Sequence, residues 1–176
     1  MIRTCIRDNL HALRQGLAVL ERITEEDYRA PVAACFNAAA GGHVRHVIEH
    51  YESLLRGLDS GWIDYEHRPR DPDVERDPAT AALRVRSLLE RLEALAEDSP
   101  DGPLLVRSET APPDSTHPWA GSSLLRELEF LLSHTVHHYA LIAIQCRLRG
   151  MTLDPDFGMA PSTLRHRQRH AVSCAR

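Results

Sequence analysis

Lysine is absent from this 176-residue chain: all 21 basic residues are arginine, set against 25 acids for a formal net charge of -4. The absence fits a compositional bias of the genome and carries no functional weight. With an isoelectric point near 6.2, the charge balance gives no sign of a phosphate-backbone binder or a polybasic membrane anchor. No nucleic-acid or membrane partner is expected. Cysteine is scarce too: Cys5, Cys35, Cys146 and Cys174 lie far apart, with no C-x-x-C pair and none of the density of a small secreted scaffold. Reduced thiols in a cytoplasm fit best. No run reaches the ~18 apolar residues that a spanning helix requires. The opening stretch "MIRTCIRDNLHALRQG" is charged where a signal peptide needs an apolar core. The expectation is a soluble, cytosolic protein. Nucleophile elbows, Walker loops and dinucleotide fingerprints are also missing, so the chain carries no familiar catalytic motif of those kinds.

What the chain does have is helical periodicity. Ile6, Leu10, Leu13, Leu17 and Leu20 recur every three or four positions and predict a helix over residues 2–22. Val44, Val47, Ile48, Tyr51, Leu54, Leu55 and Leu58 predict a second over 42–58, opened by Gly41 and Gly42. Asp77 followed by Pro78 has the chemistry of an N-cap and first helical position, and Ala82, Val85, Leu88, Leu89, Leu92 and Leu95 carry a third helix over 78–97. Five prolines between Ser99 and Gly121 mark a long crossover, with "LLVR" extended for a few residues. A fourth helix covers 122–149, and Gly150 sits where a C-terminal cap belongs. With 43% hydrophobic residues, no internal repeat and no convincing strand pattern, the fold class expected is all-α: a single domain over residues 1–176, built as a four-helix bundle. The tail from Pro161 onward, with four arginines and no acid, reads as a short extension. Ser162 and Thr163 would cap a brief helix there, and the final ten residues would be frayed and solvated.

Chemistry concentrates on two of these helices. "SHTVHHYALIA", residues 133 to 143, sets three histidines among residues of a buried helix. At about 100° per residue His134 and His138 share one flank of the apolar stripe, while His137 lies about 100° from His138. Two imidazoles four residues apart on one face can ligate one metal ion, and a third ligand could come from the second helix, where His43, His46 and His50 line a flank. By wheel angle alone His50 and His43 sit nearer the core than His46. Hydrogen-bonded histidines at a core edge would be the better explanation of an isolated pair. Five imidazoles on two apolar helices are harder to satisfy without a shared ion.

"GGHVRHVIEHYESLLRG", followed after a long interval by "RELEFLLSHTVHHYALI", resembles the DinB/YfiT-like superfamily of bacterial four-helix proteins. The stretches "GWIDYEHRPRDPDVERDP" and "DFGMAPSTLRHR" resemble one uncharacterised branch of it. The resemblance implies one divalent metal, zinc first and nickel or iron as alternatives, held by His46, His134 and His138, with His50 in reserve. It also implies a metal-dependent transferase or hydrolase acting on a small-molecule substrate, a thiol or a small electrophile, and a low-molecular-weight thiol as a cofactor used by part of the superfamily. A homodimer is expected at family level. The alternative is a non-catalytic, stress-associated metal-binding bundle.

Three imidazoles leave a zinc-like ion an open position, the arrangement of catalytic rather than structural sites. Glu127, two turns before His134 on the same flank, is the candidate general base or outer hydrogen-bond acceptor; a glutamate of a helix's first turn is the plainer explanation. Tyr65, Arg68 and Arg70 stand in the branch-specific loop and could, with His50, hold an anionic substrate. Ordinary surface charge would account for them as well. Cys146 falls on the apolar face and reads as core rather than nucleophile.

Overall fold

The predicted stripes form helices. A computed structural model of the chain, which describes residues 1–97, 102–107 and 119–174, is mostly helical: α1 (Ile2–Leu20), α2 (Glu25–Arg29), α3 (Ala40–Gly57), α4 (Pro72–Arg76), α5 (Pro78–Glu97), α6 (Leu124–Leu148) and α7 (Pro161–Cys174). The long helices α1, α3, α5 and α6 coincide with the four predicted, within two residues at each end. Local chemistry sets their limits. Asp77 accepts from the N–H groups of Ala79 and Thr80 to start α5, Ser123 Oγ accepts from Arg126 N to start α6, and Gly150 follows α6 at φ +83. Helix α1 packs on α5 and α6, and α3 packs on the same two from the other side. Leu13, Leu54, Leu92 and Leu128 are fully enclosed between them, each contributing about 1.5–3 kcal/mol of burial. Among the described residues no helix is long and apolar enough to cross a membrane.

The core is not wholly apolar. Asn9, buried in α1, donates to the carbonyls of Cys5 (2.8 Å) and Leu128 (3.1 Å) and accepts from the Tyr51 hydroxyl (2.7 Å), which in turn accepts from Thr135 Oγ1 (3.2 Å). Every hydroxyl and amide in this knot has a partner, as burial demands. It joins three helices.

The absence of strands is where the sequence misleads. A three-stranded sheet lies beside the helices, β1 (Trp62–Asp64), β2 (Leu104–Arg107) and β3 (Trp119–Ser122), with β1 parallel to β2 and β2 antiparallel to β3. "LLVR" is extended, as expected. The other two strands are three and four residues long, too short for alternation to register, and Gly121 interrupts the second. The crossover predicted over 99–121 falls largely outside the described residues. Gly57 lets β1 lie against α3: a Cβ there would meet the Trp62 carbonyl oxygen at 2.4 Å. That close approach carries the following loop, residues 65–70, onto the histidine face of α3.

The tail is corrected as well. Helix α7 runs to Cys174, so the chain stays helical through most of the stretch expected to fray. Pro161 supplies a pre-set φ, and no further Pro or Gly interrupts it. Its first turn is closed by the Ala160 carbonyl, which accepts from the N–H groups of Thr163 and Leu164, so Ser162 and Thr163 lie inside the helix rather than capping it. Cys5, Cys35 and Cys146 are buried free thiols. Burial pushes the Cys5 and Cys146 thiols up to about 11, which makes both poor nucleophiles and suits the core role expected of Cys146.

Candidate metal centre

His43, His46 and His50 fall one turn apart along α3, and His134 and His138 one turn apart along α6; because the two helices pack together, the two rows face each other. His46 Nε2 lies 3.1 Å from His134 Nε2, and His134 Nε2 lies 3.0 Å from His138 Nε2. One ring nitrogen from each of the three falls within 4.8 Å of the others. All three rings are half-buried, whereas His137 is exposed. The helical phase separates them as expected.

Hydrogen bonding alone satisfies this trio poorly. An imidazole Nε2 has one in-plane position, filled by a proton or by a lone pair. His134 Nε2 faces two other Nε2 atoms at hydrogen-bond distance, so its single proton or single lone pair is contested by two neighbours and neither contact can be a full hydrogen bond. A cation at the focus of three lone pairs removes the conflict. Nitrogens bound at about 2.0–2.1 Å in a tetrahedron lie about 3.3–3.4 Å apart, close to the 3.1 and 3.0 Å of the two contacts at His134. The three histidines therefore fit a divalent ion.

The DinB superfamily matches residues 10–142, three quarters of the chain and all of the residues just described. The chain belongs to that superfamily. A curated relative, FK506-binding protein 5 of Rhizopus delemar, is 34% identical over 104 residues, covering 59% of this chain and 27% of the relative. This DinB chain thus spans about a quarter of the length of the relative it matches. No solved structure matches it.

His50 is the most enclosed of the described histidines of this DinB chain, 2% exposed, and both its nitrogens are engaged. Nδ1 donates to the His46 carbonyl at 2.7 Å, and Nε2 accepts from Arg68 Nη1 at 3.1 Å. Arg68 does not face solvent either. Its side chain is 4% exposed, it donates to the Tyr65 carbonyl at 2.5 Å, and its Nε stands 3.6 Å from Glu49 Oε2. Tyr65 stacks on His50, with ring centroids 5.4 Å apart, and its hydroxyl donates to Glu127 Oε2 at 3.0 Å. Glu127, buried in the first turn of α6, also accepts from Ser122 Oγ. The structure therefore joins four sequence candidates, His50, Tyr65, Arg68 and Glu127, in one hydrogen-bonded wall behind the trio. Arg70 is separate: it is solvent-exposed at φ +52.

Three contributors escaped the sequence. Glu49 meets Arg68 and accepts from Asp71 N at 2.9 Å, anchoring the loop to α3. Phe130 stacks on His134, centroids 5.3 Å apart; its position one turn before His134 was the available signal. His43, weighed only as an alternative ligand, places Nδ1 3.0 Å from His138 Nδ1.

Burial, reinforced by neighbouring imidazoles, lowers His46 to about 3 and His138 to about 2, and burial lowers His50 to about 3. His43 is lowered by burial and then by His137. These rings are neutral near pH 7, as metal ligands must be. Unfolded histidines take their protons near ~6.5, so below that pH the unfolded chain binds more protons than the folded one and stability falls. The metal-free protein should lose thermal stability between about pH 6.5 and 5, above the window of the salt-bridged and hydrogen-bonded carboxylates. Circular-dichroism melts check this: a melting temperature flat across that interval would contradict the burial of the rings.

Proposed function

We propose that this chain is a single-domain four-helix bundle that binds one divalent cation, zinc before nickel or iron, through His46, His134 and His138. The observation that carries the reading is the convergence of three Nε2 atoms, with the one proton or lone pair of His134 Nε2 contested by the other two. When bound, such an ion supplies Lewis acidity at whatever position three neutral ligands leave open.

In its catalytic form the reading is a transferase or hydrolase acting on a thiol or a small electrophile. The residues behind the trio then act as support. Arg68 fixes the His50 ring by donating to Nε2, and His50 holds the α3 backbone at His46 through its carbonyl. Glu127, with hydrogen bonds from Tyr65 and Ser122 at its two oxygens, serves as an outer acceptor rather than a free base. Arg70, exposed on the same loop, is the cation left to meet an anionic substrate arriving from solvent. The second reading, a metal-binding bundle without catalysis, gains support from the mutual engagement of Tyr65, Arg68 and Glu127, which leaves those side chains turned toward one another.

Elemental analysis of the full chain purified without a histidine tag tests the metal directly. About one zinc-type ion per chain is expected. A protein that carries none and takes up none on titration with zinc would overturn the reading.

A further inference from the structure

We infer that His43 is the positioning residue of ligand His138, accepting a hydrogen bond from its Nδ1–H so that the Nε2 lone pair stays aimed at the cation. The inference rests on the three-histidine centre proposed above. A ring that ligates through Nε2 carries its proton on Nδ1, and that N–H needs an acceptor to fix the tautomer and the ring angle. His138 Nδ1 is 3.0 Å from His43 Nδ1. The two rings are tilted by 42°, with centroids 5.2 Å apart.

The direction of the bond follows from the metal. Were His43 the donor, the His138 proton would sit on Nε2 and point at the Nε2 atoms of His134 and His46, where the cation belongs. With His43 as acceptor, its own proton moves to Nε2. That nitrogen is enclosed and has no hydrogen-bond partner among the described residues. A buried N–H left unsatisfied is a cost to the fold, so the ring is not held there by what its Nε2 does. Its Nδ1 is the end in use.

The arrangement gives α3 two tasks one turn apart: His46 ligates and His43 braces the ligand presented by α6. A neutral imidazole is also a weaker acceptor than the carboxylate that often fills this place, so His138 stays a less electron-rich ligand and the ion keeps more of its Lewis acidity.

The test compares full-length wild type, His43→Leu, His43→Asn and His138→Ala, titrated with zinc against a competing chelator and with cobalt by visible absorption. Asparagine places an acceptor oxygen where His43 has Nδ1; leucine fills the space without one. His43→Leu should lose about 10- to 100-fold in zinc affinity and shift the cobalt bands, while His43→Asn stays close to wild type on both readouts. The inference is overturned, with the centre intact, if His43→Leu matches wild type while His138→Ala has lost its zinc. It is overturned also if His43→Asn, folded by circular dichroism, is as weak as His43→Leu, since packing alone would then explain the loss. If His138→Ala binds like wild type, the centre itself fails. Should His43→Leu not fold, His43→Ala against His43→Asn makes the same comparison.

Discussion

His134→Ala and His138→Ala should each abolish high-affinity metal binding, and His137→Ala should leave it unchanged. The three residues lie within five positions of one helix, so composition and local propensity are nearly the same in each variant. What differs is phase. His134 and His138 bring Nε2 atoms to within 3.0 Å of each other, whereas His137 is exposed and meets His138 only edge-on, with centroids 5.1 Å apart. Removing either inner ring leaves two protein ligands, too few for a zinc-type site. The loss should exceed the roughly 100-fold that marks removal of an outer hydrogen-bond partner. Metal content by elemental analysis and affinity by chelator competition measure it. Equal occupancy in all three variants would sink the site. Because a cation that binds only the folded chain stabilises it in proportion to its affinity, added zinc should raise the melting temperature of His137→Ala and not that of the other two.

The second large effect separates two histidines on neighbouring turns of α3. His46→Ala should cost more zinc affinity than His50→Ala, with the His46 loss beyond about 100-fold and the His50 loss within the range of about 10- to 100-fold expected of an outer partner. His46 presents Nε2 to His134. His50 has given Nδ1 to the His46 carbonyl and Nε2 to Arg68, and could ligate only by surrendering the guanidinium bond. Removing it loosens the backbone at His46 and uncaps Arg68, which weakens the centre without taking a ligand away. If titration against a chelator finds His50→Ala the more damaging, the third ligand lies one turn further along the helix, and the Arg68 bond is broken when metal binds.

The split between these two residues shows what was legible beforehand. The period of the apolar stripes fixed the four long helices, because each buries a face against neighbours through residues three and four apart. The same period put His134 and His138 on one flank and His137 off it. On α3 the wheel ranked His50 as more central than His46, and it is the more buried, yet both its nitrogens are already engaged, the outer one by Arg68, delivered by a loop eighteen positions away. That loop is held by β1, whose partner is β2, some forty residues on. A three-residue strand paired at that distance leaves no local trace. Hence Arg68 and Tyr65 read as surface groups free for a substrate, although one is an internal counterpart of Glu49 and the other a donor to Glu127.

Tyr51 and Thr135, which share the buried knot with Asn9, are the sequence neighbours of His50 and His134. Polar pairing in the core and imidazole spacing on the flank are therefore set by the same two turns of helix. Packed helices slip past one another in steps of about one turn, or 5.4 Å, and such a step would carry His46 from His134 to the next residue along while stranding the Tyr51 hydroxyl. Asn9 lies on α1, which contributes no histidine to the cluster, yet it acts as the vernier of the proposed metal centre, an alignment stop that lets the histidine rows of α3 and α6 meet in one register and not in the next.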